Sequence, residues 1–389
     1  MKVAILGAGV AGVSCAIALQ RIGYDVAVYE RHAELSSLGA GIVCWPNGAF
    51  VLDKLGLLSD IAKVSGRLVS MNRWSDEGED LGGINVLALN KAMGYPSYAM
   101  LRRDLMMVLM SHLNQLGIQV EFNHEVVKLE AGSDGVTTVC FEHGGSIEAD
   151  MVIGAEGRMN SASRAFVTGD NSAMYQGFVN WVGVFESDKV VFKDVAVNDY
   201  WGVGERFGIV PVSPNKAYWA GAIAAEIGDA EKSTYKLELL SVFNDWPGLI
   251  AKMITSTPLS NMNKIYVHDH DPIDVWHKGN VLLIGDAAHA SLPTSGQGVC
   301  QALEDVWHLM KLLTLDAPNL DKVFADFTAL RQAKTKGITL GARQFADSLF
   351  NTSRPLSLRR NESSKATDFS AVVEGMARGW SSGLPMGGG

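Results

Sequence analysis

The 389-residue sequence predicts an α/β protein that combines a parallel-sheet domain, an inserted domain of mainly antiparallel β-sheet, and C-terminal helices. Three observations predict this fold class. A glycine-rich strand, turn, helix and strand open the chain, longer alternating or aromatic-rich strands occupy residues 175–266, and a buried strand followed by a long helical pattern returns after residue 280. A chain of this length also favours two domains over one.

The return of the first pattern near the C terminus makes the parallel-sheet domain discontinuous. We expect residues 1–72, 98–174 and 277–350 to form this domain, and residues 73–97 and 175–276 to form the inserted one. Residues 351–389 are expected to be a helical segment with a flexible tail, because residues 383–389 are rich in glycine.

The charge and cysteine content narrow the classes of partner. The net charge is −9, and no run of Lys or Arg is present that would follow a phosphate backbone or an anionic membrane, so we expect no nucleic acid and no membrane partner. No segment approaches the roughly 20 uncharged residues that a membrane span needs. The four scattered cysteines are typical of free thiols in a reducing compartment, which predicts a cytoplasmic protein.

The N-terminal unit matches the dinucleotide-binding pattern G-x-G-x-x-G between a strand and a helix. Gly7 allows the tight turn, Gly9 lets a pyrophosphate approach the backbone, and Gly12 allows close packing of helix and strand. The carboxylate of Glu30, at the end of the second strand, is placed to accept hydrogen bonds from a ribose hydroxyl. Ala11 and Arg31 are predicted to belong to the same nucleotide-binding site.

Two further motifs distinguish the type of dinucleotide. Residues 150–157 read DMVIGAEG, and residues 285–298 combine Gly-Asp-Ala-Ala-His with Pro293 and Gly-Gln-Gly. Together with the first motif they resemble the class A flavin-dependent monooxygenases, the single-component family that includes para-hydroxybenzoate, salicylate and urate hydroxylases. The resemblance extends to about residue 360. It implies a Rossmann-like FAD-binding domain of the glutathione-reductase type and an inserted substrate domain.

The resemblance also implies roles for individual residues. Asp286 would bind FAD hydroxyl groups, Gly285 would let the backbone approach, and Arg102 would contact FAD. Pro293 would lie beside the isoalloxazine ring. Further FAD contacts are expected at Gly41 in the loop that lines the ring, at Val126, and at the backbone N–H groups of Gly296, Gln297, Gly298 and Val299. The family has Ala-Asp-Gly where this chain has Glu156, a change in a region linked to both FAD and NAD(P)H.

The substrate site is predicted less directly. Arg206 and Tyr218 match positions that face the substrate in urate hydroxylase-like members, where an arginine would hold an anionic or carbonyl-bearing ring and a tyrosine would exchange a proton. The alternative is a structural ion pair for Arg206 and a half-buried strand position for Tyr218. Asn180 either lines the pocket or packs within a strand. Thr294 stands where urate hydroxylases would carry aspartate.

Other polar residues are given structural interpretations. His268, Asp269, His270 and Asp271 resemble metal ligands but match a polar strand of the family, so no metal is expected. His289 is interpreted as a structural residue at a helix entry rather than as a base.

The function implied by the resemblance is hydroxylation of a small aromatic or heteroaromatic substrate. NADH or NADPH would act as a transient reductant and O₂ as the oxidant, through a C4a-hydroperoxyflavin. The alternatives are another FAD oxidoreductase on the same scaffold, such as an epoxidase or reductase, and a non-catalytic flavin-binding redox sensor. The chain is expected to act as a monomer or homodimer.

Overall fold

The computed structural model describes residues 1–35, 41–132, 135–228, 231–315 and 319–386. Within these residues the strands, in chain order, are β1 (Lys2–Leu6), β2 (Asp25–Tyr29), β3 (Gly41–Cys44), β4 (Gly66–Arg67), β5 (Ser70–Ser75), β6 (Asp80–Asn85), β7 (Tyr98–Leu101), β8 (Val120–Glu121), β9 (Val126–Ala131), β10 (Thr137–Phe141), β11 (Ser146–Ala149), β12 (Met151–Gly154), β13 (Met174–Glu186), β14 (Ala196–Trp201), β15 (Glu205–Ser213), β16 (Lys216–Ala224), β17 (Met262–Asp269), β18 (His277–Lys278) and β19 (Val281–Leu283).

The helices in the same ranges are α1 (Val10–Arg21), α2 (Pro46–Lys54), α3 (Leu58–Lys63), α4 (Val86–Met93), α5 (Arg102–Gln115), α6 (Ala162–Thr168), α7 (Tyr235–Phe243), α8 (Ile250–Ser256), α9 (Asp286–His289), α10 (Gly298–Leu315), α11 (Leu320–Leu349), α12 (Arg354–Lys365) and α13 (Phe369–Ser381). Short 3₁₀ turns occur at Lys232–Thr234, Leu259–Asn261 and Pro293–Ser295.

The first sheet has the strand order β18-β19-β12-β1-β2-β8. Its strands β19, β12, β1, β2 and β8 run parallel, and only the edge strand β18 is antiparallel. Apart from Lys2, the central strands β1 and β12 are apolar and buried, as expected where helices cover both faces of a parallel sheet. Because β1, β12 and β19 lie side by side, the turns that follow them meet at one edge of the sheet.

The large sheet has seven strands in the order β17-β13-β16-β15-β14-β5-β6, and all neighbours are antiparallel except β14 and β5. One face packs on α7 and α8 through a cluster that contains Trp181, Phe207 and Trp219. Because side chains alternate along a strand, the neighbouring residues point to the opposite face. That opposite face is turned toward the first domain.

The architecture confirms the predicted fold class, with a Rossmann-like parallel sheet, an inserted sheet that is mainly antiparallel, and C-terminal helices. Strand β15 and the three-stranded sheet β3-β7-β4 were not identified from the sequence. Among the described residues, no helix has both the length and the apolar character needed to cross a membrane.

The C-terminal segment is helical as expected, but its end is not a free tail at the residues that are described. Leu384 is buried in the core of the first domain, and Met386 packs beside it. The prediction of flexibility is therefore wrong for these two residues, because apolar side chains at the end of the chain find a core to join. Residues 387–389 lie outside the described residues.

Candidate active site

The glycine-rich turn after β1 has the geometry of a nucleotide-binding turn. Gly7 has a positive φ of 104°, and a Cβ there would overlap the carbonyl of Ala155. A Cβ on Gly12 would overlap the carbonyl of Gly7, so glycine is needed for the packing of α1 on β1. Gly9, in contrast, faces open space, with no heavy atom within 4 Å of a Cβ position. This is the space in which a pyrophosphate could meet the helix N-terminus.

Glu30, Arg31 and Val126 were also expected to contact the cofactor. The Glu30 carboxylate accepts hydrogen bonds from the backbone N–H of Ala8 at 2.9 Å and of His32 at 3.0 Å, which fixes it at the end of β2. Arg31 donates to the carbonyl of Met159 at 3.1 Å. Val126 packs on the same apolar cluster as Tyr29, at the start of β9.

The third motif meets the first one in space. Gly285 has a φ of 58°, and a Cβ there would lie 2.9 Å from the Cβ of Ala11. Asp286 follows at the start of α9, and the Asp286 and Glu30 carboxylates are both near enough to Arg102 to act on its charge. Burial lowers the pKa of the Arg102 guanidinium, while the nearby Asp286 and Glu30 carboxylates oppose this shift. None of the described residues forms a hydrogen bond with the Arg102 guanidinium, which leaves its donors available to a ligand.

The start of α10 forms the other wall. Pro293 is exposed, and Gly296 ends the 3₁₀ turn with a φ of 60°. Gly298 faces open space, and Val299 lies in the first turn of α10, whose first N–H groups have no partner within the helix. The positive end of this helix is therefore open to a ligand beside Gly298.

Two buried amide groups, Asn47 in the first turn of α2 and Gln297 just before α10, connect the starts of these two helices. Asn47 donates to Gln297 Oε1 at 2.9 Å and to Glu304 Oε1 at 2.7 Å. Asn47 Oδ1 and Gln297 Nε2 are buried and have no hydrogen-bond partner among the described residues. Trp45, just before α2, adds a further link by donating its indole N–H to the Gly296 carbonyl at 2.9 Å.

These features fit the group that the sequence predicts. Gly9 leaves open space for a phosphate, and Gly298 leaves open space for the edge of the flavin ring. The site also offers unpartnered polar atoms at Arg102, Asn47 and Gln297 and a positive helix end. The glycine-rich turn after β1 and the turn at Gly285 lie next to each other at the edge of the parallel sheet, since a Cβ on Gly285 would meet Ala11.

A buried ion network that sequence reasoning missed supports these loops. Asp305 accepts hydrogen bonds from the Gly285 N–H at 2.8 Å, from His289 Nε2 at 2.6 Å and from Arg331 Nε at 2.7 Å. Burial alone would raise the pKa of Asp305, but His289 and Arg331 lower it to about 2. Arg331 also donates to Glu304 at 2.6 Å, and both Arg331 and Glu304 are fully buried. No local signal marks this network, because α10 and α11 supply its charges from separate parts of the chain.

Glu156, the residue that departs from the family, caps α6. Its carboxylate accepts hydrogen bonds from the Ser161 hydroxyl at 2.9 Å, from the Ala162 N–H at 2.9 Å, and from Ser163. Burial raises the pKa of Glu156 to about 7, although these donors and Arg31 act in the opposite direction. The longer side chain therefore contacts a helix N-terminus.

Tyr218 of the inserted sheet contacts Gly41, in the segment that is expected to line the flavin ring. A Cβ on Gly41 would overlap the Tyr218 ring, so the two residues are in direct contact. Tyr218 packs against the apolar cluster that contains Trp45, Cys300 of α10 and Val210 of its own sheet. Burial raises the pKa of the Tyr218 hydroxyl far above its usual value, and Arg206 opposes this shift. None of the described residues hydrogen-bonds to that hydroxyl.

Arg206 lies on the same face and is paired. Its Nε and Nη2 donate to Asp199 at 2.7 and 3.1 Å, and Asp199 is fully buried. Asp199 also accepts from the Trp201 indole N–H at 2.8 Å. The ion pair foreseen as the alternative is therefore present. It uses two of the five guanidinium N–H groups, and those on Nη1 remain without a protein partner among the described residues.

Several other polar residues have structural partners. Arg343 binds Asp269 and Asp271, and His270 contacts the Arg158 carbonyl at 2.6 Å. Thr294 donates to the Ala342 carbonyl at 2.9 Å. Within the part of the chain that the structure describes, no cluster of three or more His, Cys, Asp or Glu side chains is arranged to hold a metal.

Comparison with known proteins agrees with this geometry. Residues 1–317 match the family model described as FAD binding domain. The FAD-dependent urate hydroxylase of Mycolicibacterium vanbaalenii is 33% identical over 89% of this chain and 88% of its own length. The chain belongs to the FAD-dependent monooxygenases.

Two more members of this monooxygenase family are similar over most of their length. The aurachin C monooxygenase/isomerase of Stigmatella aurantiaca is 31% identical over 88% of each chain. The crystal structure of Klebsiella pneumoniae HpxO complexed with FAD and uric acid superposes with a TM-score of 0.90 at 28% identity, and the match covers 99% of this chain and 97% of that one. The present monooxygenase therefore shares the whole fold with an FAD-bound relative.

Proposed function

We propose that the protein hydroxylates a small aromatic or heteroaromatic substrate, with NADH or NADPH as reductant and O₂ as oxidant. The contact between Gly41 and Tyr218 supports this proposal most directly, because it brings the inserted sheet against the loop expected to line the flavin ring. The relatives named above are a urate hydroxylase, whose substrate urate is a heteroaromatic compound, and an aurachin C monooxygenase/isomerase.

FAD, when bound, would supply the hydride acceptance and oxygen activation that side chains cannot provide. The protein then has to bind FAD, hold the ring and exclude water. We assign FAD binding to Gly7, Gly9, Ala11, Gly12, Glu30, Arg31, Gly41, Arg102, Val126, Gly285, Asp286, Pro293, Gly296, Gln297, Gly298 and Val299. The helix end at Gly298 would stabilise negative charge on the reduced ring system.

Arg206 and Tyr218 are assigned to the substrate. The raised pKa of Tyr218 keeps its hydroxyl protonated at neutral pH, so it can donate a hydrogen bond to a substrate oxygen. The Nη1 group of Arg206 can donate to a carbonyl or an anionic group, while Asp199 holds the guanidinium in place. The ion pair with Asp199 therefore orients Arg206.

Apolar side chains exclude water from this region. Val184, Val197 and Val210 line the sheet beside Tyr218 and are buried against the flavin loops. Trp380 of α13 lies 5.1 Å from Trp45, between ring centroids, and covers the loop from outside. Exclusion of water protects a reactive oxygen species from unproductive decay.

The test is a screen of NADH and NADPH oxidation by the purified holoenzyme with phenols, benzoates, pyridines, purines and indoles, with hydrogen peroxide measured in parallel. A hydroxylase gives ring-stimulated oxidation and an oxygenated product. Oxidation without oxygen incorporation would identify a reductase, and an epoxide product would identify an epoxidase. A stable yellow protein that no ring compound stimulates would contradict the proposal.

Arg206→Ala and Tyr218→Phe test the substrate assignment. A small misplacement of the reacting atoms can cost on the order of a hundredfold in rate. We expect both variants to retain FAD and to divert NAD(P)H to peroxide. A wild-type ratio of product to NAD(P)H in both variants would show that the two residues are structural.

We also propose a domain boundary, a cellular compartment and an oligomeric state for this protein. Because β5 begins at Ser70 and belongs to the large sheet, we propose to start the first segment of the substrate domain at residue 70 instead of 73. The four cysteines are free thiols, which supports the reducing cytoplasm. All assigned residues belong to one chain, so a monomer or a homodimer is sufficient.

A further inference from the structure

Cys44 and Cys300 come from distant parts of the chain and place their sulfur atoms together against α2. Each sulfur lies 2.9 Å from the position that a Cβ on Gly48 would occupy, so the two sulfurs are within twice that distance of each other. Gly48 lies inside α2 with an ordinary helical backbone, which any residue can adopt. Its missing side chain instead leaves the room that the two sulfurs fill.

The peptide groups of Trp45 hold both sulfurs. The Trp45 N–H donates to Cys300 Sγ at 3.3 Å, and Cys44 Sγ lies 3.8 Å from the Trp45 carbonyl oxygen. Hydrogen bonding between the two thiols raises the pKa of Cys44, and burial adds to this shift. Cys44 and Cys300 therefore form a thiol pair, and neither is an isolated buried cysteine.

Cys300 is the better placed of the two thiols to react first. It is the third residue of α10, whose first N–H groups have no partner within the helix. It also accepts the Trp45 N–H. Helix N-termini are among the surroundings in which reactive cysteines occur. Cys44, whose raised pKa keeps it a thiol, is then the second partner.

The thiol pair lies at two elements that are assigned to the flavin ring. Cys44 ends β3, the strand that begins at Gly41, and Cys300 follows Gly298 by two positions. The Cβ position of Gly298 faces open space, while both cysteines are fully buried. Their burial should exclude bulky thiol reagents. Hydrogen peroxide is little larger than water, and unproductive turnover of the proposed reaction would release it beside this pair.

We propose that Cys44 and Cys300 are a modification site at which hydrogen peroxide forms a reversible disulfide, which ties β3 to the start of α10. The Cys300 sulfur attacks one peroxide oxygen, the O–O bond breaks, and the proton of the Cys300 thiol leaves with the second oxygen as water. The Cys44 sulfur then attacks the resulting sulfenic acid. The S–S bond forms, and the hydroxyl group leaves with the Cys44 proton as a second water. Two thiols are oxidised by two electrons, and one peroxide is reduced to two waters.

Hydrogen peroxide added to the purified holoenzyme tests this site without turnover. After quenching, the protein is unfolded, alkylated and digested, and its peptides are identified by mass spectrometry. We expect a linked peptide pair that contains Cys44 and Cys300, a loss of two hydrogens from the intact mass, and recovery of both thiols with dithiothreitol. Before peroxide is added, N-ethylmaleimide should label neither cysteine in the folded protein.

Cys15 is a matched control within the same chain. It is also buried, but burial and the charge of Asp305, rather than another thiol, raise its pKa. Cys15 should therefore stay reduced under conditions that link Cys44 and Cys300. Cys44→Ser should stop the reaction at a sulfenic acid on Cys300, which dimedone traps, whereas Cys300→Ser should leave Cys44 reduced. The result for wild type stands even if a variant fails to fold.

This inference rests on the proposed function only for the source of peroxide, and the experiment supplies the peroxide directly. A sulfenic acid that persists on Cys300 of wild type, equal oxidation of Cys15 and Cys300, or no disulfide until the protein unfolds would each overturn it. If the disulfide forms but no ring compound stimulates NAD(P)H oxidation, the proposed function fails while the thiol pair stands.

Discussion

Gly41 and Tyr218 touch across the boundary between the FAD loops and the substrate sheet, in a contact so close that a Cβ on Gly41 would overlap the tyrosine ring. The contact explains why glycine occupies the first position of β3. The two residues are so closely packed that an atom added to Gly41 must displace the Tyr218 ring.

Gly41→Ala should therefore act through Tyr218. We expect it to lower the free energy of unfolding by about 1–3 kcal/mol, the usual effect of overpacking. In a Tyr218→Ala background the same substitution should have almost no effect. The measurement is a double-mutant cycle by urea unfolding, and additive effects of the two substitutions would contradict the contact.

Gly9→Ala and Gly12→Ala should separate cofactor binding from folding. Gly9 has a φ of −77° and faces open space, so Gly9→Ala should leave the stability of the FAD-free protein unchanged. The added methyl group would occupy the space of the pyrophosphate and should weaken FAD binding by at least about tenfold, or 1.4 kcal/mol.

Gly12→Ala should do the reverse, because its Cβ meets the Gly7 carbonyl. We expect a loss on the order of 2 kcal/mol in unfolding free energy even without FAD. FAD titration and thermal unfolding of both apo proteins check this pair. Equal FAD affinity in Gly9→Ala and wild type would rule out the assigned phosphate position.

Glu156→Gln should change how stability depends on pH. The pKa of Glu156 is about 7 in the folded protein against an ordinary value of 4.5, so the folded state binds the proton more tightly. Its proton-linked stabilisation is fully present below pH 4.5 and is lost as the pH rises through 7. Relative to wild type, Glu156→Gln should therefore gain melting temperature between pH 5 and pH 8. A difference that stays constant over this range would show that the carboxylate titrates normally.

Arg331→Met should destabilise both the fold and the FAD site. It leaves the buried Glu304 and Asp305 without their main cation, and breaking a buried ion pair costs about 3–5 kcal/mol. Because Asp305 also holds the Gly285 N–H, FAD affinity should fall as well. The control is Lys63→Met, which removes only the exposed pair with Asp60 and should change stability by less than about 0.5 kcal/mol. A mild effect of Arg331→Met would mean that the network is not needed for folding.

The sequence by itself determined the parallel-sheet domain and the chemical type of the cofactor. Gly7, Gly9 and Gly12 lie next to one another along the chain, and their constraints are local, a tight turn and a close helix approach. The same holds for Gly285 and Asp286. Local constraints leave readable patterns, which is why the opening strand, turn, helix and strand and the long helical pattern after residue 280 could be predicted from the sequence.

Only the tertiary structure decided which side chains meet. Asp305 and Arg331 lie on different helices, Gly41 and Tyr218 in different domains, and Asn180 and Arg206 on strands separated by a third. Whether Arg206 is paired and Asn180 is not depends on Asp199 and on the register of four strands, and register is a property of pairing between distant segments. Hydrogen bonds and burial in the substrate site arise from these long-range contacts, so no pattern along the chain records them.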